Sequence, residues 1–398
     1  MGEKAKKAVS FINYGLIVMT VTHVLTHVFG GVHPAIFSIL REEFSLSLQQ
    51  LGIIAAIPPL LQAIVSIPTG LLSDRFGAKK MVLVSLVVAL LGALLASQTT
   101  NPLMFIVAIS IVYLNITIYH PASYSYTSNL FDGPERPKAL GLHGAGGTLG
   151  HAIGPLSVSI LIGLLGLEWR QVYLLLGAPL LLGIVMILFL KDGGAAQSKE
   201  VGPEKGAVDS PLVTSILSKS MVMFLSYSAL RMMGGSMISN FIVLYLQDVR
   251  QLNLALASLI ASGTMLFGFV AAPIGGFMAA RFGEKKWILA TFSLGCILLA
   301  ISLFVPNATM FAILYIGYGF CNTLGMAGRS SIMAILSPKG QRGLGYALFF
   351  LPGSIMGAIA PVIAGFVAQN YGFTTVFYLS LGIFALAIGV LRFLVKVE

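Results

Sequence analysis

Residues 70–80 read GLLSDRFGAKK, and 206 positions later residues 276–286 read GFMAARFGEKK. Gly70, Arg75, Phe76, Gly77, Lys79 and Lys80 recur as Gly276, Arg281, Phe282, Gly283, Lys285 and Lys286, and Pro155 recurs as Pro361 at the same offset. A chain that repeats in register at about half its length encodes two equivalent halves. Both copies lie between apolar runs, each long enough for the roughly 20 residues that cross a bilayer. The repeated unit is therefore a basic loop between two membrane helices.

Working outward, 57% of the 398 residues are hydrophobic and only 10% are charged, against about 25% charged in a soluble domain. The apolar runs predict spans at 10–38, 50–72, 81–99, 102–129, 139–165, 170–190, 217–246, 255–279, 287–305, 308–336, 343–369 and 374–395. The expected class is an all-α membrane protein of twelve transmembrane helices in two pseudo-symmetric six-helix halves, 1–190 and 217–398. Residues 191–216, which begin KDGGAAQSKEVGPEKGAVDSP, read as a flexible cytoplasmic linker. The apolar N-terminal run lacks a small-residue cleavage site and reads as a retained first helix. Cys296 and Cys321 lie inside apolar runs and read as buried thiols.

The net charge of +10 is spread over short loops, which points away from nucleic acid. With the N-terminus inside, 19 of the 24 basic residues fall in cytoplasmic segments and only Arg41, Arg170 and Arg250 in outer loops. That asymmetry predicts a multi-pass protein of the cytoplasmic membrane with both termini cytoplasmic.

The spacing GxxxDRxGxKK, carried by Gly70, Asp74, Arg75, Gly77, Lys79 and Lys80, resembles the signature loop of the major facilitator superfamily. The resemblance implies the twelve-helix fold of that superfamily, a gating role for this loop, and transport around a central cavity. The second copy has Ala280 where the acid would stand, so an Asp-based latch belongs to the N-terminal half alone. GGTLGHAIGPL, from Gly146 to Leu156, resembles the superfamily's antiporter motif, with Gly150, Gly154 and Pro155 as its core; small residues at this spacing also serve plain helix packing. THVLTH from Thr22, EFSLSLQQLGII from Glu43 and YHPA from Tyr119 resemble the fosmidomycin-resistance type of exporter within that superfamily. The resemblance implies an acid at the positions of His27 and Ala122, and this sequence has neither.

All fourteen acidic residues fall in loops, termini or span ends. The predicted interior instead holds Arg231, Arg329 and all six histidines. An arginine at a helix centre costs about 2.5–3.5 kcal/mol on an insertion scale, and an anionic substrate is one way to offset it. Arg231 is thus a candidate contact for a carboxylate, phosphate or phosphonate; its alternative is a structural residue at a helix break near Gly234 and Gly235, with tyrosines such as Tyr113, Tyr124, Tyr126 and Tyr227 helping to hold the charge. Arg329 suits either substrate contact or snorkelling toward the cytoplasmic surface.

His23 and His27, four residues apart, share one face of helix 1. They are candidates for proton coupling, with His120, His151 and Tyr124 added to the substrate site. His143 is expected nearer the cytoplasmic face and His33 nearer the outside. Asn115, Asn240 and Asn322 rank low. Protonated histidine near Arg231 and a bound anion would help each other, which favours symport, whereas the helix 5 motif favours antiport.

The resulting expectation is a proton-driven exporter of small organic anions or amphiphilic drug-like compounds. It is expected to be a monomer in the lipid bilayer without cofactor, metal or enzymatic activity. Proton–anion symport and transition-metal transport by the membrane histidines are the alternatives. Two interior arginines and no interior carboxylate weigh against a dication. An intramembrane enzyme lacks acidic partners for its histidines.

Overall fold

A computed structural model describes residues 11–131, 135–191, 218–336 and 342–396. The side chains of 67, 70, 71, 74, 135–138, 334 and 342–350 also lie outside the description. The expected linker falls outside it except for Lys191, as does the Asp74 carboxylate.

Among the described residues, twelve helices are long and apolar enough to cross a membrane: α1 Tyr14–Ala35, α2 Leu48–Ser66, α3 Ala78–Ser97, α4 Pro102–Leu130, α5 Ala139–Leu164, α6 Trp169–Leu188, α7 Lys219–Asp248, α8 Leu254–Phe282, α9 Glu284–Phe304, α10 Ala308–Met333, α11 Leu351–Tyr371 and α12 Phe373–Leu394. Among the described residues there is no strand, as expected where every backbone donor must be satisfied without water.

The repeat is written into the backbone. The described residues with positive φ form three pairs at the 206-residue offset: Ser45 and Gln251 at 51° and 56°, Gly77 and Gly283 at 85° and 86°, and Gly166 and Gly372 at 69° and 85°. At Gly77 and Gly283 the chain leaves one helix and enters the next without a loop, in a conformation that a Cβ would strain. Helix starts repeat as well. Asn101 and Asn307 each cap a first turn by accepting from the backbone N–H three residues on.

The halves meet along α2 with α11 and α5 with α8. Glycines allow backbone contact there: a Cβ on Gly52 would lie 2.3 Å from the Pro361 carbonyl, and one on Gly365 would lie 2.6 Å from that of Leu48. Ser262 donates to the Ala152 carbonyl at 2.8 Å, and the Leu48 N–H donates to Gln369 Oε1 at 2.9 Å. Beyond α1, a short helix Phe37–Glu43 carries Arg41, whose guanidinium grips both oxygens of Asp248 at 2.5 and 3.1 Å. The Asp248 bond holds the Arg41 pKa above its ordinary value against partial burial. Nearby, Glu43 accepts from Trp169 Nε1 at 2.7 Å and from Arg170. Burial works against the Glu43 charge, but these bonds outweigh it and keep the carboxyl below its usual range. The Arg41–Asp248 pair and the contacts of α2 with α11 lie toward the end away from the termini and clamp the two halves there, while the Glu43 bonds brace the N-terminal half.

Candidate functional site

The site is built on the crossing of α5 over α1. Cβ atoms added at Gly146, Gly150 and Gly154 would lie 2.7, 2.4 and 2.6 Å from the carbonyls of Thr20, Val24 and Val28. Glycine at every fourth position thus lets the two backbones touch along two turns. At Gly147 an added Cβ would strike the His23 ring at 2.7 Å. The motif at Gly150, Gly154 and Pro155 is therefore a packing surface that seats the helix 1 histidines. Pro155 presses on Gly31, and α5 ends in a π-helical segment, Val158–Leu164.

Five of the six histidines gather there. His120 Nε2 on α4 stands 3.0 Å from His27 Nε2 and 3.3 Å from His23 Nε2. His27 packs on His151 with ring centroids 4.2 Å apart, and His23 stacks on His143 at 4.2 Å. Tyr124 meets His23 and His143 edge-on. His23 and His27 are buried, and His120 and His151 are half-buried. On the α1–α4 contact, the Tyr119 hydroxyl donates to the Met19 carbonyl at 2.7 Å and shares a hydrogen bond with Thr22.

The expected grouping of His23, His27, His120, His151 and Tyr124 is what the structure brings together. His143 corrects the sequence reading. His143 is fully buried and lies beside His23 because the glycines of α5 dock that helix on α1, and its carbonyl accepts from His23 Nδ1 at 2.6 Å. His33 stays apart, packed against Tyr113 and Phe37.

The second cluster lies in the other half. Arg231 Nη1 donates to Asn322 Oδ1 at 3.2 Å, and Arg329 Nη1 donates to the Asn322 carbonyl at 3.2 Å. Arg231 Nη2 lies 2.9 Å from Met232 Sδ, and its Nε is buried without a partner. Among the described residues neither arginine has a carboxylate partner. The α10 span is interrupted at Gly325, and Arg329, only 5% exposed, turns back toward Asn322 instead of snorkelling outward.

Three readings are corrected here. The helix carrying Arg231 is continuous from Lys219 to Asp248, with no break at Gly234 or Gly235, because Gly234 packs closely against the Phe384 ring. The Tyr113 and Tyr126 hydroxyls donate to the Gly30 and Lys191 carbonyls, so they hold backbone in the N-terminal half and not the arginine charge. No described contact joins Arg231 to the histidines. Asn322, ranked low, is the residue that both arginines share. The available signal in the sequence was a polar side chain seven residues before Arg329 in an otherwise apolar span.

A family model described as Major Facilitator Superfamily matches residues 19–257 and 223–398. The chain belongs to that superfamily. It is 23% identical over 386 residues to the fosmidomycin resistance protein of Escherichia coli (strain K12), covering 93% of this chain and 90% of that protein. It is also 26% identical over 316 residues to the sialic acid transporter NanX of the same organism, covering 76% and 74%. Its fold is similar to that of a bacterial homolog of the human lysosomal transporter Spinster in an inward-facing and occupied conformation, with a TM-score of 0.81 at 15% identity over 95% of this chain and 96% of that one. This superfamily member is thus a secondary transporter and a multi-pass membrane protein.

Proposed function

We propose that the protein exports small organic anions or amphiphilic drug-like compounds from a prokaryotic cytoplasm, driven by the proton gradient and by rocking of the two halves. The observation that carries this reading is the pair of arginines converging on Asn322 without a carboxylate. A neutral amide oxygen and a carbonyl offset only part of the cost of two charges inside the bilayer, since one hydrogen bond to a charged group contributes about 1.5–3 kcal/mol. A carboxylate, phosphate or phosphonate supplies the missing charge when it binds, and a cationic compound meets repulsion. With both termini cytoplasmic, as the basic loops favour, the clamp at Arg41 and Asp248 closes the outside and the cavity faces inward.

Proton coupling is assigned to His23 and His27. His27 occupies one of the two positions where the exporter resemblance implies an acid, while the other, Ala122, is fully buried in the core. A protonatable group is therefore kept in kind and altered in charge. Proton–anion symport is the second reading, carried by the same protonatable histidines and anion-attracting arginine pair.

Ligand-induced thermal stabilisation of the purified protein tests the anion site. Organic anions or phosphonates should raise the Tm of wild type and leave Arg231→Ala unmoved. Equal stabilisation of both by lipophilic cations overturns the reading.

A further inference from the structure

We propose that His23, His27 and His120 form a binding site for a single divalent transition-metal ion of the Zn2+ or Co2+ class, held by three Nε2 atoms with water as the fourth ligand. Each of the three histidines offers a ring nitrogen, and these atoms lie within 4.8 Å of one another. His120 Nε2 stands 3.3 Å from His23 Nε2, the edge of a tetrahedral set, and 3.0 Å from His27 Nε2, slightly inside it. Metal–nitrogen bonds of about 2.0–2.1 Å place ligand atoms about 3.3–3.4 Å apart.

The proton count points the same way. His23 Nδ1 faces the His143 carbonyl, which only accepts, so Nδ1 carries the proton and Nε2 presents a lone pair to His120. His120 Nε2 faces His27 Nε2 at 3.0 Å and His23 Nε2 at 3.3 Å, so ring nitrogens converge where a cation can accept their lone pairs. Binding through Nε2 keeps the His27 proton on Nδ1, which is buried without a partner. The bond from His23 Nδ1–H to a backbone carbonyl is the outer support that orients metal-binding imidazoles.

Imidazole donors without carboxylates select a borderline transition ion over Ca2+ or Mg2+. His120 is half-buried, so the cluster is not sealed on its side. Exclusion of a dication by the arginines loses its force, because Arg231 and Arg329 sit in the other half and are turned toward Asn322. The inference does not depend on which solute is carried, and it competes with proton coupling at His23 and His27, since a metal-bound Nε2 takes up no proton. Failure of the anion-stabilisation test leaves it standing, and its own failure leaves the anion site standing.

The test is Co2+ titration of tag-free protein in detergent, followed by visible absorption and by X-ray absorption at the metal edge. Wild type should bind one Co2+ per chain with the intense d–d bands of a tetrahedral site, and Zn2+ should displace it. The edge spectrum should show imidazole nitrogens at about 2.0–2.1 Å. His120→Asn and His23→Gln should each weaken binding by more than about 10-fold, the lower bound for losing even an outer-shell partner. His33→Ala should keep the bands. Six-coordinate weak bands in wild type, an edge spectrum without imidazole ligation, or affinity unchanged in a folded His120→Asn protein each overturn the proposal.

Discussion

At the residue scale the unusual chemistry is the division of positive and titratable groups between the halves. Imidazoles fill the crossing of α1, α4 and α5, and guanidinium groups fill α7 and α10. If His23 and His27 carry the coupling protons, the double variant His23→Ala/His27→Ala in proteoliposomes loses the dependence of flux on an imposed pH gradient; full retention of that dependence moves coupling elsewhere. Asn322→Leu removes the side-chain oxygen that Arg231 bonds among the described residues. It also leaves a buried charge with less compensation, so the expected destabilisation is about 1–3 kcal/mol, read as a lower Tm that an anionic ligand partly restores. Asn322 could be seen in the sequence as a polar residue in a span. What made it matter was an arginine on a different helix.

At the element scale, α5 shows how a motif can be legible while its meaning is not. The glycines of GGTLGHAIGPL were visible at a glance, and so were two explanations of them, transport coupling and packing. The structure places Gly146, Gly150 and Gly154 against the carbonyls of α1, which makes contact between helices their immediate task. Coupling, if it passes through α5, acts through that contact on His23 and His27. Gly150→Val inserts atoms where even a Cβ lies 2.4 Å from the Val24 carbonyl and 2.9 Å from His27 Cβ. Overpacking of that kind costs about 1–3 kcal/mol, and thermal unfolding should report the loss together with displaced histidines. Gly144, whose Cβ meets nothing within 4 Å, is the control: Gly144→Ala should keep the Tm of wild type. His143 escaped the sequence reading for an element-scale reason, since its contact with His23 depends on how α5 docks on α1.

For the whole molecule, alternating access requires contacts that hold one end shut and can be released. The Arg41–Asp248 pair joins the halves at the end away from the termini, beside the backbone contacts of α2 with α11. Asp248→Asn removes the charge but keeps the shape. It should shift the population toward opening of that end, seen as faster maleimide labelling of a cysteine placed at Ser258 on α8, and unchanged labelling removes the pair from the gate. At the opposite end the loop with Asp74 has the gating assignment by its motif. Asp74→Asn should lower transport while leaving ligand-induced stabilisation nearly intact; a large affinity loss with normal transport rates would sink that role.

The sequence by itself determined the twelve spans, the two halves and their symmetry, and the presence of unpaired cations in the interior. Each of these is local or periodic: a span is a run of apolar residues, a repeat is a register, and a glycine at positive φ recurs where the turn recurs, as Gly77 and Gly283 show. Only the tertiary structure decided which polar residues meet. His120 reaches His23 and His27 across about a hundred residues of chain, and Arg231 reaches Asn322 across 91. Such contacts depend on how far one helix slides along another and which way it is rotated. In a bilayer that docking is set by close packing of small residues, interhelical hydrogen bonds and backbone contact, not by the burial of apolar surface that hydrophobic periodicity records.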